Sequence, residues 1–565
     1  MATINNLSTG FQSNSLVTYG APAASANAKV TATTDISGFD ATRIKAMSVA
    51  EVAALTTDQV SSISTAAMSG LTAGQVGVLT TASVAALTDQ QVGALDNTQL
   101  GALKVGQVGA LTSSQINALS TAQMAALSVT QVGALNASRV KDIDSSHLGA
   151  LTSKQIQALT TDQIVNLIAS QLSAFSTDQV ASLKVSQVAA FETRDMSGFS
   201  TSQVAAMTAA QVKALKTEQL QALSSDQIKA IETADLAAMT ASQVSAFSSN
   251  QIRALSTGQL NALTAIELNA LSDSQLQSLS TAQVNGLSSS SVAKLKASQV
   301  AALSTAQVAA MTSDQVKSLT VLSVAALSAN QLNAMTTTQV QSLTANQLKS
   351  LSGSTVASLN TTQVAALSTA QVAGLSVASL AALSNTQVAA MTTTQVQSLT
   401  DLQIKSLSAD QVTALTSTQV SALQTSQLKS LSTAQLQALD ASDVAAMGTA
   451  QVQALTDTQV KAMTTAAMAA LTTTQVGALT TGQVKALSAA QVTALTTASV
   501  AKLSTTQLSA LSSTQVRALT TSAVAGMSST QVNALSTSQV ASLSTEQVNA
   551  LSTSTLSGLS TTNLA

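Results

Sequence analysis

Hydrophobic residues recur in this chain with a period of eight. From Phe39 onward an apolar residue stands at every eighth position: Phe39, Met47, Leu55, Ile63, Leu71, and so on to Leu559. The chain divides into 66 octads of the type LSTAQVAA (303–310), the last one residue short, with no insertion or deletion between them. Position 1 is Leu, Met, Ile or Phe in all 66, and position 6 is Val, Leu, Ile or Met in all 66. Position 8 is mostly Ala, Ser or Gly, which suits close backbone approach, and charges fall mainly at positions 2, 4, 5 and 7. Positions 1 and 6 are therefore expected to face a core and the others mostly solvent.

A flat strand cannot bury both apolar positions, because they differ in parity and would point to opposite faces. One continuous helix fails as well. Eight residues at about 100° each overshoot two turns by about 80°, so the apolar stripe would drift around the helix. The chain must break once per octad, and the break is visible. Position 2 is Ser, Thr, Asp, Asn or Gly, the preferred helix N-caps, in 58 octads. Position 5 is Gln or Glu in 49 octads, three residues after the cap, which is the capping-box spacing. Positions 1 and 6 then form the hydrophobic staple across the helix start. Each octad predicts one helix of about six residues, far below the roughly 12–15 needed for marginal autonomy in water. Stability must come from burial against neighbouring octads, as in solenoids. The predicted fold is an all-α solenoid of very short N-capped helices. Three or four octads per superhelical turn would give roughly 16–22 coils and, at about 9 Å packing, a rod on the order of 150–200 Å. The alternative is a β-solenoid, since Thr and Val are good strand formers.

Two regions are expected: a non-repeat segment, 1–38, and the octad solenoid, 39–565. The first holds the sole Tyr (Tyr19) and Pro (Pro22), and two strand-like runs, SLVTY (15–19) and AKVTATT (28–34). Within it, TATTDISG (31–38) fits the octad at positions 5 to 8, so the repeat is expected to begin degenerately there. At the other end the core residues Leu559 and Leu564 persist with no polar cap. Uncapped solenoid ends template further stacking, and a head-to-tail contact that does not close yields a filament. Tyr19, Pro22, Leu559 and Leu564 are the candidate assembly residues.

Composition narrows the function. Only 8% of the 565 residues are charged and 1% aromatic, and the formal net charge is −2. That balance gives no electrostatic footprint for nucleic acid. No run of roughly 20 mainly apolar residues exists to span a membrane, and no basic start followed by an apolar run marks a cleaved secretory signal. There is no Cys for a thiolate metal site. The sole His, His147, occupies position 5 of IDSSHLGA and reads as a substituted capping residue. Asp142 and Asp144 beside it follow no metal-ligand motif, and a lone His makes no His cluster. No catalytic, cofactor or metal residue is expected, and an enzyme is not.

Single octads resemble the opening helix of TAL effector repeats (L-T-x-x-Q-V-x-A), but the base-reading loop of those repeats is missing, so DNA binding is not implied. Tandem runs such as LSTAQVAGL (367–375) and LTTTQVGAL (471–479) resemble the low-complexity arrays of large bacterial surface or secreted, adhesin-like proteins. That resemblance implies a structural role outside the cell, reached without a cleaved N-terminal signal. The expected function is the subunit of an extracellular filament or surface layer whose partner is itself, head-to-tail or lateral. The alternative is a repeat stalk or adhesin that meets cells or glycans. A third reading is an intracellular scaffold, with cytoplasmic location.

Overall fold

The computed structural model describes residues 29–558. Among these, the chain forms 63 α-helices and two 3-10 helices, each of four to six residues, and no strand. The helical reading holds and the β-solenoid alternative does not. The described part of the second strand-like run, 29–34, is a turn closed by the Thr34 N–H on the Thr31 carbonyl at 3.0 Å. The chain divides into two compact units, one ending at Leu255 and one beginning at Ser256.

Helix starts follow the capping logic closely. In the helix Thr305–Ala310 the cap Ser304 is extended (φ −69°, ψ 158°), its hydroxyl accepts from the Gln307 N–H, and Gln307 accepts from the Ser304 N–H at 2.9 Å. The helix ends when the residue at position 1 of the next octad turns extended and its N–H bonds the position-6 carbonyl, as Met311 does on Val308 at 3.1 Å. One new cap arrives every eight residues, so no helix outgrows two turns.

Within each unit, a helix packs mainly on the helix three octads away: Ala73–Val76 on Asn97–Ala102, and Thr305–Ala310 on Ala329–Ala334. Three octads, 24 residues, therefore make one turn of an all-α solenoid in both units. Position 6 is the innermost, with Val76, Val108 and Val300 fully buried, and position 1 lies just outside it, with Leu303 6% exposed. The octad register also extends back before Phe39, as expected. Ile36 is buried, and Gln59 donates to the Thr31 and Thr34 carbonyls at 2.7 and 2.8 Å, so residues 30–38 fold onto the first coil.

One expectation needs correction. Position 5 does not face solvent: Gln75 is 1% and Gln283 8% exposed, alongside the apolar core. Its cause is a bond between coils that no single octad reveals.

Candidate functional site

The most elaborated local structure is the seam between successive coils, and the position-5 glutamine builds it. Gln75 accepts from the Thr72 N–H through Oε1 at 2.7 Å, and its Nε2 donates to the carbonyls of Met47 (2.7 Å) and Ile44 (3.1 Å). Those carbonyls end the helix Ala41–Ala46 in the coil before. One side chain thus satisfies an orphan N–H at its own helix start and the Met47 carbonyl at another helix end, and adds a second donor to the Ile44 carbonyl, which also accepts from the Met47 N–H at 3.2 Å. The pattern repeats in the second unit, where Gln307 bonds Leu279 and Leu276, both at 2.8 Å. Buried amides need such full pairing, since an unsatisfied one costs about 1–3 kcal/mol.

The glutamine outlasts the cap itself. At Lys104, Lys184, Lys216 and Lys296 no side chain can accept at position 2, yet Gln107, Gln187, Gln219 and Gln299 still accept from the lysine N–H. At a few sites where glutamine is replaced, the inter-coil half is kept. Arg139 donates to Leu111 and Ala110 at 2.7 and 3.2 Å. His147 does the same with Nε2 on the Leu119 carbonyl at 2.6 Å. It does not cap its own helix, because the Asp144 N–H donates to Asn117 Oδ1 instead. The reading of His147 as a substituted capping residue is therefore half right: it holds the coil before it. Its buried Nδ1 has no hydrogen-bond partner and lies 4.0 Å from the Asp144 carboxylate.

A second ladder runs the other way. Position-7 amides donate to position-8 carbonyls one coil on: Asn117 to Asp142 at 2.9 Å, Asn285 to Ala310 at 2.8 Å, Gln341 to Ala366 at 2.8 Å. Position 8 is small because helix backbones meet there. A Cβ on Gly70 would lie 2.0 Å from the Ala41 carbonyl oxygen, and one on Gly198 2.3 Å from that of Ala169.

Four acids occupy the glutamine slot and are buried: Asp195, Asp235, Glu267 and Asp443. Burial pushes the carboxyls of Asp195, Asp235 and Asp443 above the usual range, at Asp235 with help from Glu232 and at Asp195 against the attraction of Arg194. Glu51 behaves oppositely, held low by the N–H and hydroxyl of Ser48 and by the Val30 N–H. Both 3-10 helices, Ala137–Asp142 and Thr193–Gly198, carry a charged residue in this slot, Arg139 and Asp195.

The outer surface offers shallow hollows. One, of about 390 Å³, is bordered by Ala345, Lys349, Gly374, Val377 and Leu402, of which Leu402 is 65% exposed. Among the described residues no group of three His, Asp or Glu is placed to hold a metal ion, and no helix is long and apolar enough to cross a membrane. The four residues named from sequence as assembly candidates, Tyr19, Pro22, Leu559 and Leu564, lie outside the described residues.

Repeating helix, seam and core define a tandem-repeat protein. The ALTTAQ repeat model matches eight stretches: 105–137, 188–225, 228–265, 292–321, 420–457, 458–489, 487–521 and 510–545. No curated protein matches the chain.

Proposed function

We propose that the protein is a structural component, the repeating body of a bacterial extracellular filament or surface layer, with further copies of itself as partner. The observation that carries this reading is the coil-to-coil seam. Within each unit, amide side chains join coil after coil to the one before, which suits a load-bearing body. The charge-poor composition also permits dense packing between copies, since net charge keeps proteins apart.

Electron microscopy of the purified protein, together with fractionation of the producing cells, tests the proposal. Fibres or sheets, with the protein at the cell surface or in the medium, support it. Particles that stay monomeric and bind glycans or cells favour the stalk or adhesin reading, to which the hollow beside Leu402 would lend a contact surface. Retention in the cytosol overturns both.

A further inference from the structure

Charge is laid along the helices in one direction. From Phe39 onward position 7 holds twelve of the Lys and Arg residues and no Asp or Glu, while positions 3 and 4 hold twelve of the acids and two cations. Positions 3 and 4 open the helix and position 7 lies in its last turn, so both placements suit the helix dipole. Stacking turns this local preference into a property of whole faces.

One face of the second unit shows it fully. Eight helices, from Ser313–Ser318 to Thr481–Ala486, stack there one per coil. All run the same way. Starts lie over starts: Gln339, opening Thr337–Ser342, bonds the Met311 carbonyl beside the cap of Ser313–Ser318, and Gln459, opening Asp457–Ala462, bonds the Leu431 carbonyl beside the cap of Thr433–Gln437. Ends lie over ends: Gln341 bonds the Ala366 carbonyl and Gln437 that of Ala462. The start edge carries Asp314, Asp410 and Asp457 and no cation, and the end edge carries Lys317, Lys461 and Lys485 and no acid. All six side chains are exposed, and none is in an ion pair among the described residues. No large apolar side chain of this face is exposed.

We propose that this face is a contact between two copies of the chain whose coils stack in the same direction. The inference rests on the reading of the protein as its own partner. A twofold axis parallel to the stack reverses helix direction across the contact, so the start edge of one copy meets the end edge of the other. The contact is isologous and in register. Asp314 faces the partner's Lys317 in the same coil, and Asp457 faces the partner's Lys461, each pair occurring twice. With the two stacks opposed, start meets start and end meets end, so aspartates confront aspartates and lysines confront lysines. Small polar side chains between the edges carry no preference for either arrangement, and charge selects the first.

Sedimentation velocity of the full chain at about 20 mM and about 500 mM salt reads the contact. Wild type should associate about tenfold more tightly at the lower salt. Lys317→Glu with Lys461→Glu sets acid against acid and should weaken low-salt association about tenfold, with the helical circular dichroism unchanged. Adding Asp314→Lys and Asp457→Lys to that chain restores opposite charges at every pair. It should bring association back to within about threefold of wild type, although these changes oppose the helix dipole. Carbodiimide cross-linking of isotope-labelled with unlabelled wild-type chain reads the orientation, and an intermolecular link between Asp457 and Lys461 is expected. Association that ignores the charge reversal, fails to recover in the fourfold variant or yields no such link overturns this contact and leaves the structural reading standing. A wild-type chain that stays monomeric at low salt overturns both.

Discussion

At the residue scale, the glutamine at position 5 carries the most interactions per side chain. Gln371 accepts from the Ser368 N–H at 2.8 Å and donates to Leu343 and Val340 at 2.7 and 2.9 Å. Removing it leaves buried backbone groups unpaired, so Gln371→Ala should lower stability by about 1–3 kcal/mol, read from urea unfolding. Gln371→Glu keeps the acceptor and loses both donors while burying a charge. It should cost more than alanine at neutral pH and recover as the pH is lowered toward 4, where the acid is protonated. The capping half of this role was legible, because Ser/Thr and Gln stand three residues apart within one octad. The stapling half was not: its partners lie 28 and 31 residues back, and only the number of octads per turn brings them within reach.

At the element scale, the helices exist because a start signal recurs before the previous helix can lengthen. Glycines show how tightly the elements meet. Gly198 stands where a Cβ would press on the Ala169 backbone, whereas Gly101, inside the helix Asn97–Ala102, has nothing within 4 Å of that position. Gly198→Ala should therefore cost about 1–3 kcal/mol through overpacking. Gly101→Ala should instead gain about 0.5–1 kcal/mol, since alanine is the better helix former. Melting temperatures of the two variants moving in opposite directions would check both. The small residues at position 8 signalled close approach in the sequence. Which glycines are pressed and which are open depends on the facing helix, and the octad alone does not name it.

At the scale of the whole molecule, equivalence of the octads is the governing property. Every octad presents the same apolar core pair and most present the same cap and glutamine, so each can pack on whichever octad lies three steps behind. Removing one whole octad, residues 303–310, should leave the helical circular dichroism per residue unchanged, because the seam re-forms in register. Removing half of it, residues 303–306, shifts the bond partners and exposes core positions. It should split the thermal unfolding or lower its midpoint markedly.

The sequence by itself determined the helix, its start, its length and its two core positions, since these depend on residues within one octad and on local bonds between caps and backbone. Even the early start of the repeat, with Ile36 as a core residue, was readable from spacing. Tertiary structure alone decided that three octads close a turn, and with it the fate of position 5. A polar side chain that pattern places on the surface becomes buried because the turn carries it under the helix-end carbonyls of the coil before. The position-6 carbonyl there already accepts a backbone N–H, and the glutamine amide adds a second donor to it and reaches the position-1 carbonyl beside it.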